Sequence, residues 1–240
     1  MTVELDPAGV EARLTTGALA CPACTGVLAG WGWARPRMIR DGDRRVRLAP
    51  RRARCTGCAV THVLLPVLAL VRRGDAAAVI GWALTAKAAG RGHRWIADRL
   101  AVPACTVRGW LRRFGSRLGG VEAFFTAAGI AIAIDPVMAA TGGSAWADAV
   151  LWFAALAAAR FASGPGRTLG ADLAVDASDG SDGSDGSDGS DGVWAAATAA
   201  SHGQLLTHLA RDLVGLVGLV DLVTSPPVPA PSMWINTSCP

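Results

Sequence analysis

Residues 91 to 114 read Arg-Gly-His-Arg-Trp-Ile-Ala-Asp-Arg-Leu-Ala-Val-Pro-Ala-Cys-Thr-Val-Arg-Gly-Trp-Leu-Arg-Arg-Phe. Ile96, Ala97 and Leu100 share one face of a short helix, because side chains three or four apart are neighbours on a helix surface. Val107, Trp110, Leu111 and Phe114 share one face of a second helix, and three residues separate the two. This pattern predicts a helix-turn-helix. Two residues depart from the usual form. Ala101 stands where a left-handed glycine is common, and Gly109 lies inside the second helix at a cost of about 1 kcal/mol relative to alanine. Cys105, Arg108 and Arg112 fall opposite the apolar face of that helix, so two guanidinium groups project outward together.

Upstream, the same period extends to Asp75, which is expected to cap a first helix carrying Val79, Trp82, Ala83 and Ala86 on one face. Charge is concentrated around this unit. Residues 31 to 120 hold 19 of the 23 Lys and Arg but only 4 of the 19 Asp and Glu, a local net charge of +15 in a chain of +4. Clustered positive charge of this kind meets polyanions. Double-stranded DNA is therefore the expected partner, with Arg94, Ala104, Cys105, Thr106, Arg108, Gly109, Arg112 and Arg113 as candidate contacts. In such an arrangement the side chains at the start of the recognition helix meet base edges, and later basic residues hold phosphates.

Further upstream stand Cys21-Pro-Ala-Cys24 and Cys55-Thr-Gly-Cys58, two Cys-x-x-Cys turns thirty residues apart. Four thiolates satisfy a tetrahedral Zn2+ and leave no open position, so Cys21, Cys24, Cys55 and Cys58 are expected to form a structural zinc site. Arg51 and Arg54 would favour the thiolate form. His62 is either a substitute ligand, a support for one, or a polar residue closing the ribbon. Between Trp31 and Arg54, alternation such as Arg45-Val46-Arg47-Leu48 predicts short antiparallel strands. Cys105 and Cys239 have no partners at metal spacing and are expected to be free thiols.

Downstream the composition becomes rich in alanine. Ser178 to Gly192 repeats Ser-Asp-Gly five times with no side chain able to build a core, so it reads as a disordered acidic linker. Val193 to Val223 can form one or two helices, and Pro226, Pro227, Pro229 and Pro231 keep the end extended. The organisation expected is thus an N-terminal extension (1–20), a β zinc ribbon (21–66), a three-helix helix-turn-helix unit (67–118), an Ala-rich helical region (119–177), the linker (178–192) and a C-terminal helix with a Pro-rich tail (193–240). The fold class expected is mainly α. The start lacks a basic segment before an apolar run, and Asp135, Asp148 and Arg160 interrupt the apolar region. The reading is of a soluble, cytoplasmic, nucleoid-associated chain.

Cys21 to Cys24, the run from Arg51 to Pro66, and Ile96 to Phe114 together resemble transposase-associated zinc ribbons followed by helix-turn-helix domains. More closely, they resemble an uncharacterised high-GC bacterial family with the same arrangement and an Ala-rich tail. The resemblance covers residues 20 to 118 and implies DNA recognition at mobile-element ends or promoters, but no reaction. A complete transposase would need three clustered carboxylates to hold two metal ions. Glu4, Glu11 and Glu122 are the only glutamates, and none follows Asp135 or Asp148. The chain is therefore expected not to be an enzyme and to have no small-molecule substrate. A DNA-binding regulator or transposon-associated recognition protein is the leading expectation. A zinc-ribbon adaptor that binds protein, and a transposase relic without its catalytic domain, are the alternatives. The Ala-rich helices would pack on the DNA-binding unit or on a second copy in a homodimer.

Overall fold

The computed structural model describes residues 2–3, 6–121, 123, 143–162 and most of 194–206. The Ser178–Gly192 repeat, the Pro-rich tail, Cys239 and most of the expected C-terminal helices lie outside the described residues. The elements bounded by described residues are β1 Thr2–Val3, α1 Pro7–Thr15, β2 Leu28–Trp33, β3 Arg37–Asp41, β4 Arg44–Leu48, β5 Arg51–Cys55, β6 Thr61–Pro66, α2 Ala77–Ala88, α3 His93–Leu100, α4 Ala104–Gly115 and α5 Ala145–Ala162, and further helical residues follow α4 at 118–121 and occur at 194, 195 and 197–199. The mainly α expectation is overturned, because two small sheets make this a mixed α/β fold. Two of the strands have weak local signals: β1 is only two residues long, and the β2 run Leu-Ala-Gly-Trp-Gly-Trp has little β-branched character.

One sheet has the order β1-β6-β5-β2, with β1 parallel to β6 and the other pairs antiparallel. Its core is Val3, Val10, Leu14, Leu19, Leu28, Ala53 and Leu64 together with Cys21 and Cys55, so α1 closes one face of the ribbon. Asp6 caps α1, its carboxylate accepting from the backbone N–H groups of Ala8 and Gly9 at 3.0 and 2.9 Å.

The other sheet is the hairpin β3–β4, which turns at Gly42, held at φ 62°. It does not extend the ribbon sheet. Ile39 and Leu48 instead bury against Leu65, Ala69 and Ala76, at the junction with the helical unit. Here the expectation for Asp75 fails. Ala76 occupies the N-cap position of α2 without any side-chain cap, and Asp75 is buried in an ion pair with Arg40 of β3 at 2.8 Å. The backbone follows the same line: Arg40 N–H donates to the Gly74 carbonyl (2.8 Å), and Ala76 N–H donates to the Arg40 carbonyl (2.7 Å). A carboxylate left without water is stabilised far more by a guanidinium than by a helix terminus.

The helical core gathers Ile80, Ala83, Leu84, Ile96, Ala97, Val107, Trp110, Leu111 and Phe114 from α2, α3 and α4. Of the four residues expected on one face of α2, Ala83 is buried, whereas Val79, Trp82 and Ala86 are only partly buried. The reason is that α2 is apolar nearly all round, since a second layer covers it. From α5, Trp146 and Phe153 meet Phe114 with ring centroids 5.3 and 6.0 Å away, and Trp194 meets Phe153 at 5.3 Å. Trp194 lies on Gly81, where any Cβ would collide with the indole. The Ala-rich region and the segment after the repeat therefore complete the core of the helix-turn-helix. Among the described residues no helix is long and apolar enough to cross a membrane.

Candidate metal centre and nucleic-acid interface

The two Cys-x-x-Cys turns meet because β2 and β5 are neighbours. Leu28 pairs with Cys55 in their antiparallel register, and the backbone N–H of Cys21 donates to the Gly26 carbonyl to close the first turn. The sulfur atoms of Cys21, Cys24, Cys55 and Cys58 all lie within 4.8 Å of one another. Cys24 and Cys55 are 3.4 Å apart, Cys21 and Cys58 3.8 Å. Four sulfurs at about 2.3 Å from a tetrahedral ion stand about 3.8 Å from one another. The quartet can thus hold a metal ion, and four thiolates are compatible with zinc.

Polarisation of the sulfurs comes from the backbone, not from the arginines expected to supply it. Ala23 N–H points at Cys21 Sγ (3.4 Å), Gly26 N–H at Cys24 Sγ (3.3 Å), and the N–H groups of Gly57 and Cys58 at Cys55 Sγ (3.3 and 3.5 Å). Arg51 is taken up by the Glu11 carboxylate and the Gly32 carbonyl. Arg54 Nε donates to the Ala59 carbonyl at 3.2 Å, bracing the second turn, where Ala59 is itself left-handed at φ 59°. The backbone bond from Cys58 is the largest influence lowering the Cys55 thiol, to about 6. At Cys58 the backbone N–H of Val60 lowers the thiol, but burial and the surrounding sulfurs outweigh it and push the group up to about 12. His62 Nε2 lies 3.4 Å from Cys21 Sγ, and burial holds the imidazole below its ordinary value. A neutral ring can donate one N–H to a metal-bound thiolate without adding charge. Gly26 was an unread signal of the site: a Cβ there would stand 2.7 Å from Cys55 Sγ.

The second candidate site is the helix pair α3–α4. Its turn runs from Ala101 to Pro103, and Ala101 adopts the left-handed conformation (φ 50°, ψ 40°) that glycine usually supplies. Backbone bonds from Ala101 N–H to Asp98 and from Val102 N–H to Ala97, at 3.3 and 3.1 Å, fix that turn. Val107, Trp110, Leu111 and Phe114 are buried. Arg94, Ala104, Cys105, Arg108, Arg112 and Arg113 are exposed, with Thr106 and Gly109 half-buried. All eight candidate contacts thus lie on α3 and α4, and those on α4 stand clear of its buried face. Arg113 Nη1 donates to the Gly109 carbonyl at 3.2 Å, which lays that side chain back along its helix.

Sequence reading missed the pairing of arginines with tryptophans. Arg91 lies over Trp95 (4.8 Å), Arg54 over Trp31 (4.9 Å) and Arg51 over Trp33 (5.1 Å). All three indoles are about half exposed. The pairs are distant in sequence on the ribbon, so only the β2–β5 register brings them together.

No family model, no curated protein and no solved structure matches this chain.

Proposed function

We propose that this chain is a sequence-specific DNA-binding protein, a transcriptional regulator or transposon-associated recognition protein, in which a structural Zn2+ on Cys21, Cys24, Cys55 and Cys58 holds a ribbon against a helix-turn-helix. One observation carries the reading: α4 has one face buried and the opposite face lined by exposed Arg108 and Arg112, after a three-residue turn with its left-handed residue in place. No catalytic role is assigned. The resemblance to transposase-associated ribbons agrees with recognition separated from chemistry.

Titration against duplexes selected from random DNA tests the proposal. Arg108, nearer the start of α4, is the residue for a bidentate contact with guanine. Arg108→Ala is expected to cost about 1 to 3 kcal/mol on the preferred site and to relax preference at one base pair. Arg112 lies a turn later, and Arg112→Ala is expected to weaken all sequences alike. If the parent fails to retard any duplex, or both variants bind as the parent does, the proposal fails.

A second reading, a zinc-ribbon adaptor for another protein, is favoured by exposed Trp31, Trp33, Met38 and Val63 on the strands. Exposed aromatic and apolar side chains of this kind are enriched at protein interfaces. Retention of a protein partner by a variant that has lost Arg108 and Arg112 would support it.

A further inference from the structure

Strands β2, β5 and β6 form a sheet with two unlike faces. One carries Leu28, Ala53, Cys55 and Leu64 into the ribbon core with α1. Directly opposite residues share a face, so the pairs Ala29–Arg54, Arg52–Val63 and Arg54–Thr61 put those five residues on the other side. Trp31 joins them, because the Arg54 guanidinium lies 4.9 Å from the centre of its ring. Trp33 does not. The register shifts between Gly30 and Trp33, with Gly32 left-handed at φ 90°, and Trp33 comes to lie opposite Arg51, beside Glu11 and Val10 on the α1 side.

The outer face is open and carries a single sign of charge. Trp31 is 53 % exposed and Val63 44 %, and Ala29, Arg54 and Thr61 are exposed as well. None of the three strands contains an acid. Among the described residues neither Arg52 nor Arg54 forms an ion pair. Arg54 is nonetheless held in place, since its Nε donates to the Ala59 carbonyl at 3.2 Å. Trp31 is thereby an indole backed by a fixed guanidinium, with half its surface toward solvent. Arg52 stands two residues from Arg54, about 7 Å along the strand.

A partner that fits this face brings a flat apolar group together with negative charge beside it. Protein interfaces gather apolar side chains at their centre and exclude charge there, whereas here arginines stand among the apolar groups. A DNA duplex keeps its base faces stacked on one another. An unpaired strand offers both a free base face and phosphates.

We infer that Trp31, Arg52 and Arg54 form a binding site for unpaired DNA, in which a base stacks on Trp31 and the adjoining phosphates meet Arg52 and Arg54. The choice of DNA rests on the DNA-binding reading; the single strand goes beyond it, and the site lies on other elements than α4.

The test titrates the full zinc-loaded chain with labelled oligo(dT), oligo(rU) and a duplex, followed by fluorescence anisotropy at two salt concentrations. The parent is expected to bind oligo(dT) at least as tightly as oligo(rU). Trp31→Ala is expected to weaken oligo(dT) binding about 5- to 150-fold, the range of one base–aromatic stack. Trp33→Ala, on the opposite side, is expected to bind as the parent does. Arg52→Gln is expected to lower the salt slope for oligo(dT) by about 0.7, and it keeps the test decisive should Trp31→Ala fail to fold. Failure of the parent to bind oligo(dT), equal affinity of Trp31→Ala and the parent, or an unchanged salt slope overturns the site and leaves this face to a protein partner. Tighter binding of oligo(rU) overturns DNA as the source. Binding of oligo(dT) that depends on Trp31 in a parent that binds no duplex sustains the single-strand site and overturns the helix-turn-helix reading; duplex binding without oligo(dT) binding does the reverse.

Discussion

Replacing Arg40 is expected to destabilise the protein more than replacing Asp75, although the two share one ion pair. Both Nε and Nη2 of Arg40 stand 2.8 Å from Asp75 Oδ1. Burial is unequal: the arginine side chain is 44 % exposed and the aspartate 5 %. After Asp75→Ala, the guanidinium turns to water and recovers much of its solvation. The loss is then near that of a charge-assisted hydrogen bond in a half-exposed setting, about 1 to 2 kcal/mol. After Arg40→Ala, the carboxylate stays at the junction of hairpin and helix with neither water nor counter-charge, and the loss is about 3 to 4 kcal/mol. In the double variant the stranded charge is gone, so its loss falls below that of Arg40→Ala alone. Urea unfolding of the zinc-loaded protein, followed by tryptophan fluorescence, measures all three. An Asp75→Ala loss equal to or larger than that of Arg40→Ala would refute the account of the junction as a buried carboxylate held by an outer arginine.

Further expectations concern the metal, two glycines and the linker. Because the Cys58 thiol is pushed up to about 12 and the Cys55 thiol drawn down to about 6, zinc must displace a proton from Cys58 throughout the neutral range and little from Cys55 at pH 7 and above. Lowering the pH from 9 to 7 is therefore expected to weaken zinc affinity at least tenfold per unit; chelator competition giving a shallower slope would contradict the thiol assignments. Gly81→Ala reverses the usual helix-propensity gain of about 1 kcal/mol and instead destabilises by roughly 1 to 3 kcal/mol, since the new methyl meets the Trp194 ring. A more stable variant in denaturant unfolding would exclude that packing. Gly109→Ala meets only the movable end of Arg113, so it should stabilise α4 by up to about 1 kcal/mol while weakening duplex binding if DNA approaches the helix there. Unchanged affinity would leave that glycine without a role in recognition. Deleting Ser178 to Gly192 removes five aspartates, and duplex affinity at low salt is expected to hold or rise. A large drop would show that the repeat contributes to binding.

Local patterns in the sequence carry the elements whose determinants are themselves local. The spacing of Ile96, Ala97 and Leu100 against Val107, Trp110, Leu111 and Phe114 specifies two helices and their buried faces, because helical period is a property of a few turns. The cysteine turns announce their quartet for the same reason, since each pair sits in one tight loop. Alternation in Arg45 to Leu48 likewise matches β4. At Asp75 the local pattern does not decide, because a capping carboxylate and a buried ion-paired one look alike in sequence, and Arg40 lies 35 residues away. The face of α2 could not be chosen from a run that is apolar on most sides. Nor could any local pattern say that β3–β4 leaves the ribbon sheet, that Arg54 braces Ala59 instead of the sulfurs, or that Trp194 fills the space over Gly81. These were decided by tertiary structure, where burial of distant apolar faces and the need to pair every buried charge select among partners that the sequence leaves equally available.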